Sequence, residues 1–252
     1  MQMNEKRADE IWTFGPGPFA LSGRPPSLEG VVELINNTEQ SQELTAIPLK
    51  NVALGSYRGP VPDHVTTLAR LGAHGRTRAT MRLTLDPTTP PGRYEAELGG
   101  GAQTERVLIQ VLANWQLRII PDAVTVAASA GEKLGLQAVV TNQGNMELKL
   151  PATQSVDLDD TRGLIQLANV VAREVGKEGF TRFLDRFVQE WAEDAVAPAV
   201  VHIKPRGHLV RPGETTEIEL TVQLPEKLKK GRTYRGKMPL KNASLSLEIE
   251  CG

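Results

Sequence analysis

Short runs in which apolar and polar residues alternate fill most of this 252-residue chain and constrain its fold more than any other feature. In MRLTLDP, residues 81–87, every second side chain is apolar, and LEGVVELIN, residues 28–36, alternates in a similar way. Alternation with a period of two predicts strands that bury one face. Turn residues such as Asn36, Asn37 and the Pro-Pro-Gly at 90–92 separate the runs, which is typical of a β-sandwich.

The second half of the chain repeats the order of features in the first half. In the first half they are Gly75, residues 81–85, Pro87, Gly92 and Tyr94, and in the second they are Gly213, residues 218–222, Pro225, Gly231 and Tyr234. Upstream, residues 34–38 correspond to residues 140–144. The repeat predicts two tandem β-sandwiches, at 1–113 and 114–252. We also expect both tyrosines to bury their rings and to bond backbone through their hydroxyls.

One stretch, at about 160–197, has the spacing of a helix instead. Its second half carries an apolar stripe spaced by three and four residues: Phe180, Phe183, Leu184, Phe187, Val188 and Trp191. A similar stripe in its first half consists of Leu164, Leu167, Val171 and Val175, and Gly176 and Gly179 lie between the two. We therefore predict an α-helical hairpin inserted in the second domain, where the first domain has an irregular segment at about 50–70.

The stripe on the second helix has two interpretations. It can pack on its own sandwich and cover apolar surface or a bare edge strand, or it can bind another chain. A mixed arrangement, with one face docked and another face presented, is also open. The aromatic residues Phe180, Phe183, Phe187 and Trp191 are the candidate partner-binding residues.

Basic residues cluster between 227 and 241 with no acidic residue among them. Lysines on an edge strand protect it from aggregation, which is one explanation. The other explanation is an acidic protein or an anionic surface as partner, and it makes Lys229, Lys230, Arg232 and Arg235 further candidate partner-binding residues.

Composition excludes several classes of protein. A net charge of −1 gives no general basis for nucleic-acid binding, and no apolar run is long enough to span a membrane. The N-terminal residues lack the apolar segment of a signal peptide, and the single cysteine, Cys251, has no partner for a disulfide. These features predict a cytoplasmic protein.

Catalytic and metal-binding motifs are missing from the sequence. The spacing of Asp157, Asp159 and Asp160 could offer oxygens to Ca²⁺, but the central Gly and closing Glu of an EF-hand loop are absent. These aspartates are expected to cap the following helix. His202 and His208 have no third metal ligand nearby, and Cys251 lies in a C-terminal tail that we expect to be mobile. We expect no enzyme activity, no cofactor and no metal.

The motifs at residues 90–94, 142–145 and 210–215 are PPGRY, NQGN and VRPGET. They resemble those of bacterial immunoglobulin-like or fibronectin-III-like domains. The resemblance covers the chain except about 1–20 and 160–197. It implies that the two tandem β-sandwiches are immunoglobulin-like and that the protein has a spacer, scaffold or binding role.

Together these features predict a non-enzymatic structural or adaptor protein that binds other proteins or itself within a larger bacterial assembly. The alternative is a ligand-binding accessory module, for example for carbohydrate, that acts beside an enzyme. Carbohydrate platforms use exposed aromatic rings, and aromatic residues make up only 4% of this chain. A small-molecule ligand is not expected.

Overall fold

The structure is a computed structural model that describes residues 11–53, 55, 59–100, 103–160, 163–176, 179–194 and 196–252. It is mainly β, as the alternation predicts. In this part of the chain the strands are β1 (Trp12–Phe14), β2 (Phe19–Arg24), β3 (Ser27–Asn36), β4 (Gln42–Ala53), β5 (His64–Leu71), β6 (Arg76–Thr84), β7 (Gly92–Gly100), β8 (Gln103–Val111), β9 (Leu117–Ile120), β10 (Ala123–Ala128), β11 (Lys133–Asn142), β12 (Leu148–Lys149), β13 (Thr153–Val156), β14 (Asp159–Asp160), β15 (Ala199–Lys204), β16 (Leu209–Val210), β17 (Thr215–Gln223), β18 (Thr233–Leu240) and β19 (Ala243–Cys251). The helices are α1 (Gly163–Val175) and α2 (Phe180–Asp194).

The chain divides into two compact units. The first unit comprises Met1–Trp115 with Gln143–Met146, and the second comprises Gln116–Asn142 with Glu147–Gly252. Asn145 is held within the first unit by its amide, which donates to the carbonyl of Thr89 at 2.9 Å and accepts from the backbone N–H of Asn114 at 2.7 Å. The short segment that carries Asn145 therefore packs with the first unit.

Strands of the first unit pair in a closed ring of seven, in the order β3–β2–β8–β7–β4–β5–β6 and back to β3. β4 makes the closure possible because its register shifts twice, between Leu44 and Ala46 and between Lys50 and Ala53. Its first part pairs with β5 and its last part with β7. The two separate sheets predicted for this unit are thus joined into one ring by a bent strand.

The segment at 50–70, predicted to be irregular, is instead largely strand. β4 extends to Ala53 and β5 begins at His64. Along β5 the buried positions include Thr67 and Ala69, whose small or polar side chains hide the alternation. Thr67 is accommodated in the interior because its hydroxyl donates to the carbonyl of Thr80 at 2.9 Å.

Strands of the second unit form two main sheets that face each other across one core. One sheet has the order β10–β19–β18–β14 and the other β13–β15–β17–β11–β9, with β12 and β16 paired separately. Their inward side chains form a single apolar cluster that includes Val140, Leu220, Met238 and Leu247. The second unit is therefore a β-sandwich with two open sheets.

Both predicted tyrosines bond backbone as expected. Tyr94 donates its hydroxyl proton to the carbonyl of Pro90 at 2.8 Å, and the buried Tyr234 accepts from the backbone N–H of Lys229 at 2.9 Å. Each hydroxyl thereby fixes the turn that precedes its strand.

Replacing Tyr94 by phenylalanine is expected to lower the free energy of unfolding by about 1 kcal/mol near neutral pH, because the Pro90 carbonyl loses its partner. Burial raises the pKa of Tyr94, so the folded protein holds the phenol proton more tightly than the unfolded chain does. The contribution of the Tyr94 hydroxyl to stability is complete below the pKa of tyrosine in the unfolded chain, about 10. It is lost as the pH rises through the pKa of Tyr94 in the folded protein. Urea denaturation across that range should show the difference between wild type and Tyr94→Phe shrinking, and a constant difference would contradict the assignment.

Candidate functional site

Two helices follow β14 and precede β15 in the second unit. α1 ends at Val175 and is followed by Gly176, which has a φ of 52°. Gly179, with a φ of 101°, precedes the first residue of α2. Both angles lie in the region that glycine adopts without strain, so these two residues reverse the chain between the helices. The helices lie within the predicted range of about 160–197 but begin later and end earlier.

The helices pack mainly on each other. Val171 and Val175 of α1 are buried, and Phe183 and Phe187 of α2 are half-buried. The rings of Phe183 and Phe187 stack with their centroids 5.9 Å apart. None of these four side chains belongs to the apolar core of the sandwich. Among the described residues, the buried side chains of the hairpin are thus separate from that core cluster.

A row of apolar side chains on α2 remains exposed. Phe180, Leu184 and Val188 have exposed fractions of 73%, 41% and 54%, and their spacing of four places them on one side of the helix. The ring of Phe180 stacks on Phe183 at a centroid distance of 6.3 Å, which connects the row to the half-buried aromatic residues. We name Phe180, Leu184 and Val188 the α2 row.

The structure distributes the predicted aromatic candidates between two environments. Phe180 lies in the exposed row, whereas Phe183 and Phe187 are half-buried. Trp191 lies in α2, but its side chain is outside the described part of the structure. Leu184 and Val188 were not among the site predictions, although their spacing from Phe180 already placed them on the same side of the helix.

The predicted basic candidates are partly neutralised by carboxylates. Arg232 forms an ion pair with Asp160, and Arg235 donates two hydrogen bonds to Glu248, at 2.9 and 3.2 Å. Those bonds raise the pKa of the Arg235 guanidinium above its ordinary value. Lys229 and Lys230 are exposed in the turn before β18. The four residues therefore do not present one uniformly cationic surface.

The predicted helix-capping role of the aspartates is wrong for two of them. Asp159 and Asp160 form the short strand β14, in register with Arg235 and Tyr234 of β18. α1 begins only at Gly163, and there is no acidic side chain in its first turn. The carboxylate of Asp160 is occupied by Arg232 instead.

A second exposed apolar pair lies in the first unit. Val31 of β3 and Leu68 of β5 have exposed fractions of 57% and 76%. Val31 is in register with Thr80 of β6, and the pairing of Thr67 with Met81 places Leu68 beside that same threonine. Val31 and Leu68 occupy outward-facing positions of their strands, where polar residues alternate with the buried ones, so the alternation does not predict this pair.

Chemical candidates remain dispersed in the described part of the chain. No group of three or more His, Cys, Asp or Glu side chains there is arranged to hold a metal ion. Cys251 is not in a mobile tail, since it is buried in β19 and its backbone N–H donates to the carbonyl of Arg232 at 2.9 Å. Neither α1 nor α2 is long and apolar enough to cross a membrane.

No protein-family model and no curated protein sequence matches the chain. Among solved structures, a protein of unknown function from Porphyromonas gingivalis W83 is 13% identical, with 95% of this chain and 99% of that chain covered and a TM-score of 0.27. The CupB2 chaperone of Pseudomonas aeruginosa is 9% identical, with 94% and 98% covered and a TM-score of 0.24. Dpr11 IG1 bound to DIP-gamma IG+IG2 is 10% identical, with 95% and 98% covered and a TM-score of 0.29. TM-scores this low support no assignment of function.

Proposed function

We propose that this chain is a non-enzymatic structural or adaptor protein that binds another protein through the α2 row, as part of a larger bacterial assembly. The observation that carries the proposal is the exposure of Phe180, Leu184 and Val188 on one side of a single helix. Apolar surface that is contiguous and exposed marks interaction sites in proteins. Neither this row nor the buried Val171 and Val175 of α1 belongs to the apolar core of the sandwich.

The partner in this proposal offers an apolar groove. Anchors spaced by four residues along one helix are the pattern by which an amphipathic helix is recognised in a groove. Exposed polar residues Thr181, Asp185 and Gln189 lie next to the row along α2 and would form the polar rim of such an interface.

The same proposal treats the two units as copies of one immunoglobulin-like sandwich, the second carrying the hairpin as an insertion. Asn36 and Asn142 are both buried at the ends of β3 and β11, and they bond through their backbone N–H groups to the carbonyls of Gly75 and Glu214, each at 2.9 Å. The residues before those carbonyls are His74 and Gly213, both with positive φ, at 50° and 76°. The sequence comparison matched Gly75 with Gly213. By this correspondence Gly75 matches Glu214 instead, which is a shift of one residue.

Substitutions in the α2 row test the binding role. A photo-crosslinking amino acid at position 184 of the full chain identifies the protein that contacts the row in a native lysate. Leu184→Glu and Phe180→Glu are then expected to weaken binding of that purified partner at least about tenfold, because each places a charge inside an apolar contact. Affinity is measured by titration of the purified proteins.

A matched control lies on the neighbouring helix. Asn169 is an exposed polar residue of α1, and Asn169→Glu is expected to leave the affinity unchanged. Circular dichroism should show the same fold in all three variants. If position 184 crosslinks to no protein, or if Leu184→Glu binds the partner as wild type does, the α2 row is not the binding site.

A further inference from the structure

The strand β10 forms one edge of the second unit and offers backbone groups that no described strand uses. It pairs with β19 in parallel, with Ala123 opposite Ser246 and Ala128 opposite Cys251. At its ends, Ser246 donates to the carbonyl of Asp122 at 2.8 Å and Gly252 to that of Ala128 at 3.1 Å. In a parallel pair, the backbone groups of every second residue bond a given neighbour. The N–H and C=O groups of the even-numbered residues of β10 therefore point to β19.

The odd-numbered residues Ala123, Thr125 and Ala127 therefore direct their N–H and C=O groups to the free side. The corresponding strand of the first unit, β2, differs because it pairs with β3 on one side and β8 on the other. Edge strands are normally protected by charged side chains or proline. β10 reads AVTVAA and has neither.

The free side of β10 also borders incompletely covered apolar surface. Val124 and Val126 of β10 and Leu134 and Leu136 of β11 pack against the core but are only partly buried. The first half of β11 pairs with β17 on one side, whereas β9 covers only residues 139–142 on the other. A strand added beside β10 would cover more of Val124 and Val126, the partly buried valines of that strand.

We propose that β10 pairs with β10 of a second copy of this chain, antiparallel about a two-fold axis at Thr125. The segment AVTVA, residues 123–127, is identical when read in either direction from Thr125. In this arrangement Thr125 faces Thr125 of the second copy, and Ala123 faces its Ala127. In this register every hydrogen-bonded pair consists of odd-numbered residues, and these are the residues whose N–H and C=O groups point to the free side of β10. Each such pair exchanges two hydrogen bonds.

Side chains are compatible with the same register. On the outer face the small, exposed Ala123, Thr125 and Ala127 bring no charge and little bulk to the contact. On the inner face Val124 meets Val126 of the second copy, so aliphatic surface that is partly exposed in one copy is covered in two. The two sheets of four strands become one continuous sheet, and the contact is isologous.

This homodimer contact is separate from the α2 row and does not depend on the partner proposed for that row. Sedimentation velocity of the full chain from about 5 to about 500 µM is expected to show a monomer–dimer equilibrium. A reversible equilibrium is expected because the interface buries a small area compared with most specific protein–protein interfaces. In the dimer, amide hydrogen exchange at Thr125 and Ala127 is expected to slow with concentration. Val124 and Val126 should be protected at every concentration, because their N–H groups already face β19.

Variants at the two-fold axis identify the contact. Thr125→Pro removes an N–H that points to the free side and leaves the bonds to β19 in place, so it is expected to abolish dimerisation. Thr125→Lys and Thr125→Glu each set like charges opposite one another and are expected to weaken dimerisation about tenfold or more. An equimolar mixture of these two variants is expected to dimerise again, since opposite charges then meet.

Ser244→Lys is the control, because Ser244 is exposed on the neighbouring strand β19, which already pairs with β18 there. It should dimerise as wild type does. Leu184→Glu, which tests partner binding through the α2 row, should also dimerise as wild type does, so the two proposals can fail independently. A chain that stays monomeric over the whole range overturns the proposal. So does a dimer that persists in both Thr125→Pro and Thr125→Lys, or a lysine–glutamate mixture that stays monomeric.

Discussion

Replacing Gly30 by alanine is expected to lower the free energy of unfolding of the first unit by about 3 kcal/mol. Gly30 lies in β3 where it passes β2, and a Cβ atom added there would lie 2.0 Å from the carbonyl oxygen of Ala20. The obstacle is backbone, so no side chain can rotate away. Because β2 pairs with both β3 and β8, the strain falls on a strand within the ring of the first unit.

Gly135 provides the matched control, since it lies in β11 of the second unit and an added Cβ atom there would meet no atom within 4 Å. Gly135→Ala is expected to change stability by no more than about 1 kcal/mol, in the stabilising direction, because the unfolded chain loses freedom. Hydrogen exchange of the β3 and β6 amides reports on the first unit, and exchange of the β11 and β17 amides reports on the second. Wild-type protection of β3 in Gly30→Ala would contradict the close approach.

Strands could be predicted from the sequence wherever aliphatic residues occupy the positions that face the core. Met81, Leu83 and Leu85 alternate with polar residues, and all three are buried in the first unit. The same rule failed for β5, because two of its inward positions hold Thr67 and Ala69, whose side chains do not stand out from the polar residues beside them. Local periodicity detects a strand through the contrast between its two faces, and that contrast is weak there.

Strand partners were harder to predict than strands. The ring of the first unit depends on two register shifts in β4, which are properties of pairing across the sheet and leave no periodic signal in the sequence. The second unit has similar sequence features but pairs in two open sheets. Its free edge at β10 was not predicted, although the absence of charge from AVTVAA was already visible in the sequence.

The helical stripe was predictable as a pattern, but its division into covered and exposed parts was not. Phe183 and Phe187 are half-buried, whereas Phe180, Leu184 and Val188 are exposed, and all five belong to the same periodic run. Periodicity gives the width of an apolar face and leaves open which neighbour covers it.

Replacing Asn36 by alanine is expected to lower the free energy of unfolding of the first unit by about 3 kcal/mol. The side chain is buried, and its amide nitrogen donates to the carbonyls of Gln40 and Gly72, each at 2.8 Å. Its amide oxygen accepts from the backbone N–H of Thr38 at 2.9 Å and from the hydroxyl of Thr38 at 2.8 Å. Alanine fills none of these roles, so partly buried backbone groups at the end of β3 lose their partners.

Asn37→Ala separates this effect from a general intolerance of the turn. Asn37 is exposed, so its replacement is expected to destabilise the first unit clearly less than replacement of the buried Asn36. Urea denaturation of both variants, with hydrogen exchange of the β3 amides, makes the comparison. Equal stability of the two variants would show that the buried amide contributes little.

Asn142→Ala extends the test to the second unit, because the buried Asn142 amide donates to the carbonyl of Val210 at 2.9 Å and its loss should destabilise β11 in the same way.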